Sequence, residues 1–283
     1  MKDSPSVKNQ FSNIQTELTM MNQTAGLYAF REIKEEAELL AAFRMRYTIY
    51  MQQPHLRLLM VENAAEVDID GYDIYSRHYG LYKLNGEAEE MIGYLRVIEQ
   101  CKFPLVEAML QKLKGQYSFV PPQRKHLFYF QHLFPDAESI LNMPLNKNAH
   151  LICEPSRFII LPQHRSADLA QFIIESILVI ACSLHITPIG LLFCKRDQKI
   201  MYLRKGGFEW KAEEKNPEDA SNPWNLLMIT RIGIEKKMPN LSQRIQQYEA
   251  DGCFYHELGS VDWQALRYLP VVARRWARQA GII

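Results

Sequence analysis

Between Glu32 and Tyr50 the apolar positions Leu39, Leu40, Phe43, Tyr47 and Tyr50 fall at helical spacing, which predicts an amphipathic helix with its charged face outward. Residues 76–100 change period and read as two strands around a turn that begins at Asn85-Gly86, the signature of a hairpin. The second half predicts a strand over 150–161, a helix from about Ser166 to His185, a strand over 188–196, a short helix over 197–205 and a strand over 206–212. A late strand over 225–234 follows, then a helix over 241–252 with Gly252 as its C-cap, and two short helices divided at Pro270. This alternation favours parallel pairing and an α/β or mixed-sheet fold.

Residues 1–25 are polar, rich in Ser, Asn and Gln, and show no sustained period, so they are expected to form a mobile or loosely packed arm. Residues 26–238 carry the strand and helix pattern of one domain, and 239–283 are expected to add a helical C-terminal extension packed on or beside it. The 283 residues, 47% of them hydrophobic, suffice for one substantial core. Lysines and arginines (33) nearly balance aspartates and glutamates (32), so no global field recruits nucleic acid. The five cysteines are scattered with no C-x-x-C pair, which suits a reducing cytoplasm. The N-terminus has no apolar h-region and the longest apolar run is too short to span a bilayer, so a soluble cytoplasmic protein is expected.

Cys153 beside Glu154 permits a Cys-His-acid hydrolase, but no nucleophile elbow accompanies it, and cysteine is more often simply buried. The histidines show no metal-ligand spacing, so no metal site is expected. No phosphate loop of the P-loop or dinucleotide type occurs, which sets aside kinases, nucleotidases and dinucleotide enzymes. What remains is a set of charges at the margins of predicted strands: Arg46, the acids Asp68, Asp70 and Asp73, Arg96, and the pair Glu154 and Arg157. Taken singly, each reads as an ordinary ion pair.

Their order carries more. Arg46 and Tyr50 in "RYTIY", Asp68, Asp70, Tyr72 and Asp73 in "DIDGYD", Arg96 in "GYLRVIE", and Glu154, Ser156, Arg157 and Phe158 in "EPSRF" follow one another as in a known family. The chain resembles the acyl-homoserine-lactone (autoinducer) synthases and the related N-acyl amino acid synthases over roughly residues 30–215. The resemblance implies a GNAT-like acyltransferase fold, a central twisted mixed β-sheet flanked by helices. It implies an enzyme that moves a fatty acyl group from acyl carrier protein or acyl-CoA to the amine of an amino acid. The phosphopantetheine thioester then serves as co-substrate, with no tightly bound cofactor.

In this reading Glu154 accepts the amine proton, directly or through water, and backbone N–H groups near Phe158, Ile159 and Ile160 face the developing oxyanion. Asp70 and Asp73, with Asp68 beside them, hold the amino-acid end of the acceptor. Arg46, Arg96 and Arg157, with Tyr50 and Ser156, anchor carboxylate or phosphopantetheine groups or lock the acids in place. The run 172–182, with Ile159, Ile160, Leu191, Leu192 and Phe193, reads as core and, alternatively, as an acyl tunnel. The basic tail, with Arg267, Arg274, Arg275 and Arg278, reads as an amphipathic helix packed on the sheet and, alternatively, as a dock for an acidic carrier protein or an anionic membrane.

Two departures bear on the acceptor. Where the autoinducer synthases carry Gly-Trp after the first helix this chain has "QQPHLRLL", and where they carry "LLPT" it has "RVIEQ". They leave an amino acid at least level with S-adenosylmethionine as the acceptor. An autoinducer synthase using S-adenosylmethionine and an inactive acyl- or lipid-binding sensor are the alternative readings.

Overall fold

A computed structural model describes residues 26–53, 62–85, 88–193, 207–215 and 223–258. The described residues hold an eight-stranded mixed sheet, β1 (Gly26–Glu32), β2 (Ser76–Asn85), β3 (Ala88–Ile98), β4 (Ile152–Ile160), β5 (Thr187–Phe193), β6 (Glu209–Glu214), β7 (Trp224–Met228) and β8 (Cys253–Leu258), in the spatial order β6-β7-β5-β4-β3-β2-β1-β8. Helices α1 (Glu36–Met51), α2 (Pro104–Tyr117), α3 (Ala137–Leu141), α4 (Leu145–Asn148), α5 (Ala167–Ser183), α6 (Arg231–Lys237) and α7 (Leu241–Asp251) connect and cover it.

The expected hairpin is present as the antiparallel pair β2–β3, with Asn85 opposite Ala88. The helix over 166–185 is present as α5, and its N-cap Ser166 accepts a hydrogen bond from the Leu169 amide. Gly252, at φ 65°, ends α7 in the left-handed conformation expected of a glycine C-cap.

Elsewhere the elements differ from expectation. Glu32 closes β1 rather than opening a helix, and α1 begins four residues later. The strand expected over 225–234 stops at Met228, because the Thr230 side chain accepts from the Gly233 amide and starts α6 at Arg231. Parallel pairing is confined to β4–β5, and the other described pairs are antiparallel. The segment expected as a helical extension supplies α7 and then β8, which pairs antiparallel with β1 at the sheet edge. The helix expected over 197–205, the basic tail beyond residue 258 and the arm 1–25 lie outside the described residues. No helix among the described residues is long and apolar enough to cross a membrane.

The two faces of the sheet are covered differently. On one, α5 packs Leu169, Phe172, Ile173, Ile177 and Ile180 against Tyr28, Leu81, Leu95 and Val97, and Leu241 of α7 joins that core. The run 172–182 is thus core, each large apolar side chain contributing about 1.5–3 kcal/mol by leaving water. On the other face, α1 and α2 pack with Val67 and Ile69 of the following loop, and a strap of residues 122–134 with α3 and α4 forms a third cluster around Phe128, Phe130 and Phe134.

Candidate active site

Strand β4 joins two kinds of irregularity at one place. Its register against β3 shifts between the pair Arg96–Ser156 and the pair Tyr94–Ile159, so Leu95 faces both Arg157 and Phe158. Arg157 takes φ 55°, a left-handed conformation that an L-residue adopts at a cost. The bulge changes the phase of the strand: Cys153 and Ile160 are an odd number of residues apart yet share one core cluster. Gly93 is needed opposite, since a Cβ there would lie 2.8 Å from the Ile159 carbonyl oxygen. On its other side β4 pairs with β5 at Ile152–Thr187 and Cys153–Pro188. No described β5 residue ladders with β4 beyond that point.

Glu154 sits where the strands part. It is fully buried, and its Oε2 accepts hydrogen bonds from the amides of Tyr129 (2.6 Å) and Phe130 (3.3 Å) in the strap. Its Oε1 is buried and has no hydrogen-bond partner among the described residues. Burial pushes its carboxyl up to about 8, against the opposing pull of Arg96 and the two amides. A carboxylate held near neutrality with one oxygen uncommitted has the properties of a general base. Cys153, by contrast, is fully buried on the opposite face of β4, and burial raises its thiol well above the ordinary range. That environment does not suit a nucleophile.

The predicted arginines and aspartates meet in one closed ring of alternating charge. Arg46 from α1 grips Asp73 through Nη1 (2.7 Å) and Nη2 (3.2 Å) and reaches Asp68 through Nε (2.9 Å). Arg96 from β3 lies 3.1 Å from Asp73 and 2.7 Å from Asp70. Arg157 completes the circuit at 3.3 Å from Asp70 and 3.3 Å from Asp68. Ser156 accepts from Arg96 Nε, and the Arg157 guanidinium lies 5.2 Å from the Tyr50 ring. Three cations and three anions cancel, so the ring carries its own counter-charges.

Arg46, Asp73 and Arg96 are wholly buried, whereas Asp70 keeps 13% and Arg157 7% of its side chain exposed. Burial opposes ionisation, yet Asp68 and Asp73 outweigh it to hold the Arg46 cation well above its ordinary range, and Arg46 and Arg96 hold Asp73 far below the usual carboxylate range. The side chains of Leu191, Leu192 and Phe193 lie outside the described residues, and Ile159 packs with Ile49 and Tyr50.

Sequence reasoning missed His78, which ties this ring to the sheet. Arg46 Nη1 donates to the Tyr94 hydroxyl (3.1 Å), which lies 2.6 Å from His78 Nδ1, and His78 Nε2 lies 3.1 Å from the Asp73 carbonyl. The chain of donors assigns a neutral imidazole protonated on Nε2. Burial lowers its pKa to about 4, with Asp73 pulling the other way. The unfolded chain takes this proton near 6.5 and the folded one only near 4, so stability present above pH 6.5 is lost as pH falls toward 4. His78→Gln is expected to flatten that stretch of the stability profile by as much as roughly 3 kcal/mol, read by urea unfolding at pH 7 and pH 4.5.

The fold built around this site is that of the GNAT-like acyltransferases. The acetyltransferase (GNAT) domain family matches residues 45–175, from α1 through the first half of α5. Among solved structures, the CoA-dependent acyl-homoserine lactone synthase BjaI, with SAM and isopentyl-CoA, aligns at a TM-score of 0.51 and 14% identity over 76% of this chain and 90% of that one. FeeM, an N-acyl amino acid synthase from uncultured soil microbes, aligns at 0.41 and 14% identity over 74% and 94%. MesI, a CoA-dependent acyl-homoserine lactone synthase, aligns at 0.42 and 21% identity over 73% and 88%. No curated protein matches the sequence.

Proposed function

We propose that the protein is an N-acyltransferase that moves a fatty acyl group from the thioester of acyl carrier protein or acyl-CoA to the amine of an amino acid. The observation that carries this reading is Glu154, a buried carboxylate raised to about 8 with one free oxygen, set where β4 and β5 part.

The amine nitrogen attacks the thioester carbonyl, and Glu154 takes the proton that the nitrogen sheds, directly or through one water. Among the backbone N–H groups of 158–160, beyond the bulge, that of Ile160 is out of phase with the Leu161 amide that donates to Ile92 of β3, so it faces away from β3 and is assigned to the oxyanion. As the tetrahedral intermediate collapses, the C–N bond stays, the C–S bond breaks, and the thiolate leaves to be protonated. No covalent enzyme intermediate is needed, in keeping with the burial of Cys153.

Asp70 and Arg157 are the most exposed ring members, so they are assigned to the acceptor's ammonium and carboxylate. Arg46, Tyr50, Asp68, Asp73, Arg96 and Ser156 hold these two and the bulge in place. Asp70→Asn is then expected to raise the acceptor KM about tenfold or more and leave the donor KM within about twofold, because it removes one charge-assisted contact worth about 1.5–3 kcal/mol. Steady-state kinetics with each substrate varied in turn read this split, and an unchanged acceptor KM rejects the role.

The experiment that tests the activity is a mass-spectrometric profile of lipids from cells expressing the protein, against cells expressing Glu154→Gln. New N-acyl amino acids absent from the control support the reading. An acyl-homoserine lactone with release of methylthioadenosine replaces the amino acid by S-adenosylmethionine. No new product in either culture favours a binding protein without turnover.

A further inference from the structure

The strap that carries the Tyr129 and Phe130 amides to Glu154 is fastened at both ends. At its start, the Gly71 amide donates to the Pro122 carbonyl (2.7 Å), and a Cβ on Gly71 would lie 2.3 Å from the Arg124 nitrogen, so only glycine allows the two segments to touch. Arg124 lies 4.2 Å from the Tyr75 ring and donates to the Gln100 side chain (2.8 Å) and to the Leu127 carbonyl. At its end, the Tyr72 hydroxyl lies 2.8 Å from His132 Nε2.

Tyr72 also reaches the catalytic neighbourhood itself. Its amide donates to Asp70 (2.8 Å), its ring meets the Tyr129 ring edge-on at 5.7 Å, and the Arg96 guanidinium lies 5.9 Å from its face. One residue thus touches the charge ring on one side and the Glu154 strap on the other.

We infer that the Tyr72–His132 hydrogen bond is a positioning element that keeps the amides of Tyr129 and Phe130 on Glu154. This rests on Glu154 being the base of the proposed reaction. Two amide donors favour the ionised carboxylate, so a strap that drifts away leaves Glu154 a weaker acid and removes part of the active base at neutral pH. The other groups facing Glu154 are Arg96, Asp70, Cys153, Tyr72, Arg124 and Tyr129; the first three lie outside the strap and stay in place when the Tyr72–His132 contact is cut, whereas Arg124 and Tyr129 move with it. His132 faces His126, Lys125 and Asp70, and burial lowers its pKa, so the neutral ring in its Nδ1-protonated tautomer accepts the Tyr72 hydroxyl at Nε2.

Tyr72→Phe removes the hydroxyl and keeps the ring, so the packing against Tyr129 survives. Its rising limb of kcat/KM against pH is expected to move up by about one unit, which makes it about tenfold slower than the wild type on that limb. His132→Leu should reproduce the shift. His132→Gln, whose Oε1 can accept from Tyr72, should restore the wild-type profile. In parallel, amide exchange across 122–134 should quicken in Tyr72→Phe and His132→Leu and not in His132→Gln.

A Tyr72→Phe profile that superposes on the wild type overturns the inference, as does a uniform loss of rate with no shift along the pH axis. If the wild-type limb survives in Glu154→Gln, the proposed base has failed instead. The exchange data then still decide whether Tyr72 and His132 hold the strap.

Discussion

Glu154→Gln is expected to lower kcat by about two to four orders of magnitude and to erase the ionisation near pH 8 from the rate profile. The magnitude is what a positioned general base contributes in a transfer of this kind. The glutamine keeps an oxygen for the Tyr129 and Phe130 amides, so the strap and the fold stay in place. What disappears is the proton acceptor at Oε1. The acceptor amine has its own ionisation, which remains in both proteins and serves as the internal reference. Substrate binding, measured separately by titration, is expected to change little, because the carboxylate acts on the attacking nitrogen only as it sheds its proton. Full turnover across the pH range would remove Glu154 from the reaction.

The same variant carries a stability signature of the opposite sense. The folded protein holds the Glu154 proton up to about 8, whereas the unfolded chain releases it near the ordinary 4.5. Between those values the unfolded state binds fewer protons, so stability falls as pH rises through the window and is lowest above it. The gap caps the effect at about 5 kcal/mol. Glu154→Gln should therefore unfold at higher urea than the wild type at pH 9 and alongside it at pH 4.5. A variant that gains stability while losing rate is what a strained functional group predicts, and a merely structural carboxylate would not give it.

Much of this site is legible in the chain once helix phase is taken seriously. Leu39, Phe43, Arg46 and Tyr50 are spaced by four, three and four residues, so the arginine stands in the buried stripe of α1, whereas Tyr47 lies at its edge, half-buried. A buried arginine requires buried carboxylates, and "VDIDGYD" is where three of them lie within six residues. The order of motifs located Glu154, but not the surroundings on which its proposed role as a base rests. Its amide partners come from residues 129 and 130, which show no charged motif and are brought there by the packing of Phe128, Phe130 and Phe134. The resemblance implied a bend in this strand near Phe158, but nothing in "EPSRF" itself demands a left-handed arginine. β8 escaped because a short strand between a helix and a basic tail gains its place only from the open edge of β1.

Arg46→Met is expected to destabilise the protein by about 3–5 kcal/mol, because it removes the cation from between Asp68 and Asp73 and leaves both acids buried without it. Against the 5–15 kcal/mol typical of a whole domain, such a loss brings the fold close to its limit. Arg46→Lys should recover only part of it, since one ammonium cannot reproduce the forked contacts to two carboxylates. The informative step is the second substitution. Adding Asp73→Asn to Arg46→Met discharges the carboxylate that suffers most, so the double variant should be more stable than Arg46→Met alone by about 1–3 kcal/mol. Urea unfolding of the wild type, Arg46→Met, Asp73→Asn and the double variant at pH 7 measures this coupling. If the two losses simply added, Arg46 and Asp73 would not be stabilising one another, and the buried part of the ring could not be a scaffold. A positive coupling makes Arg46 and Asp73 one buried unit, to which Arg96 is joined through Asp73, and leaves Asp70 and Arg157 as the ring members most open to a substrate.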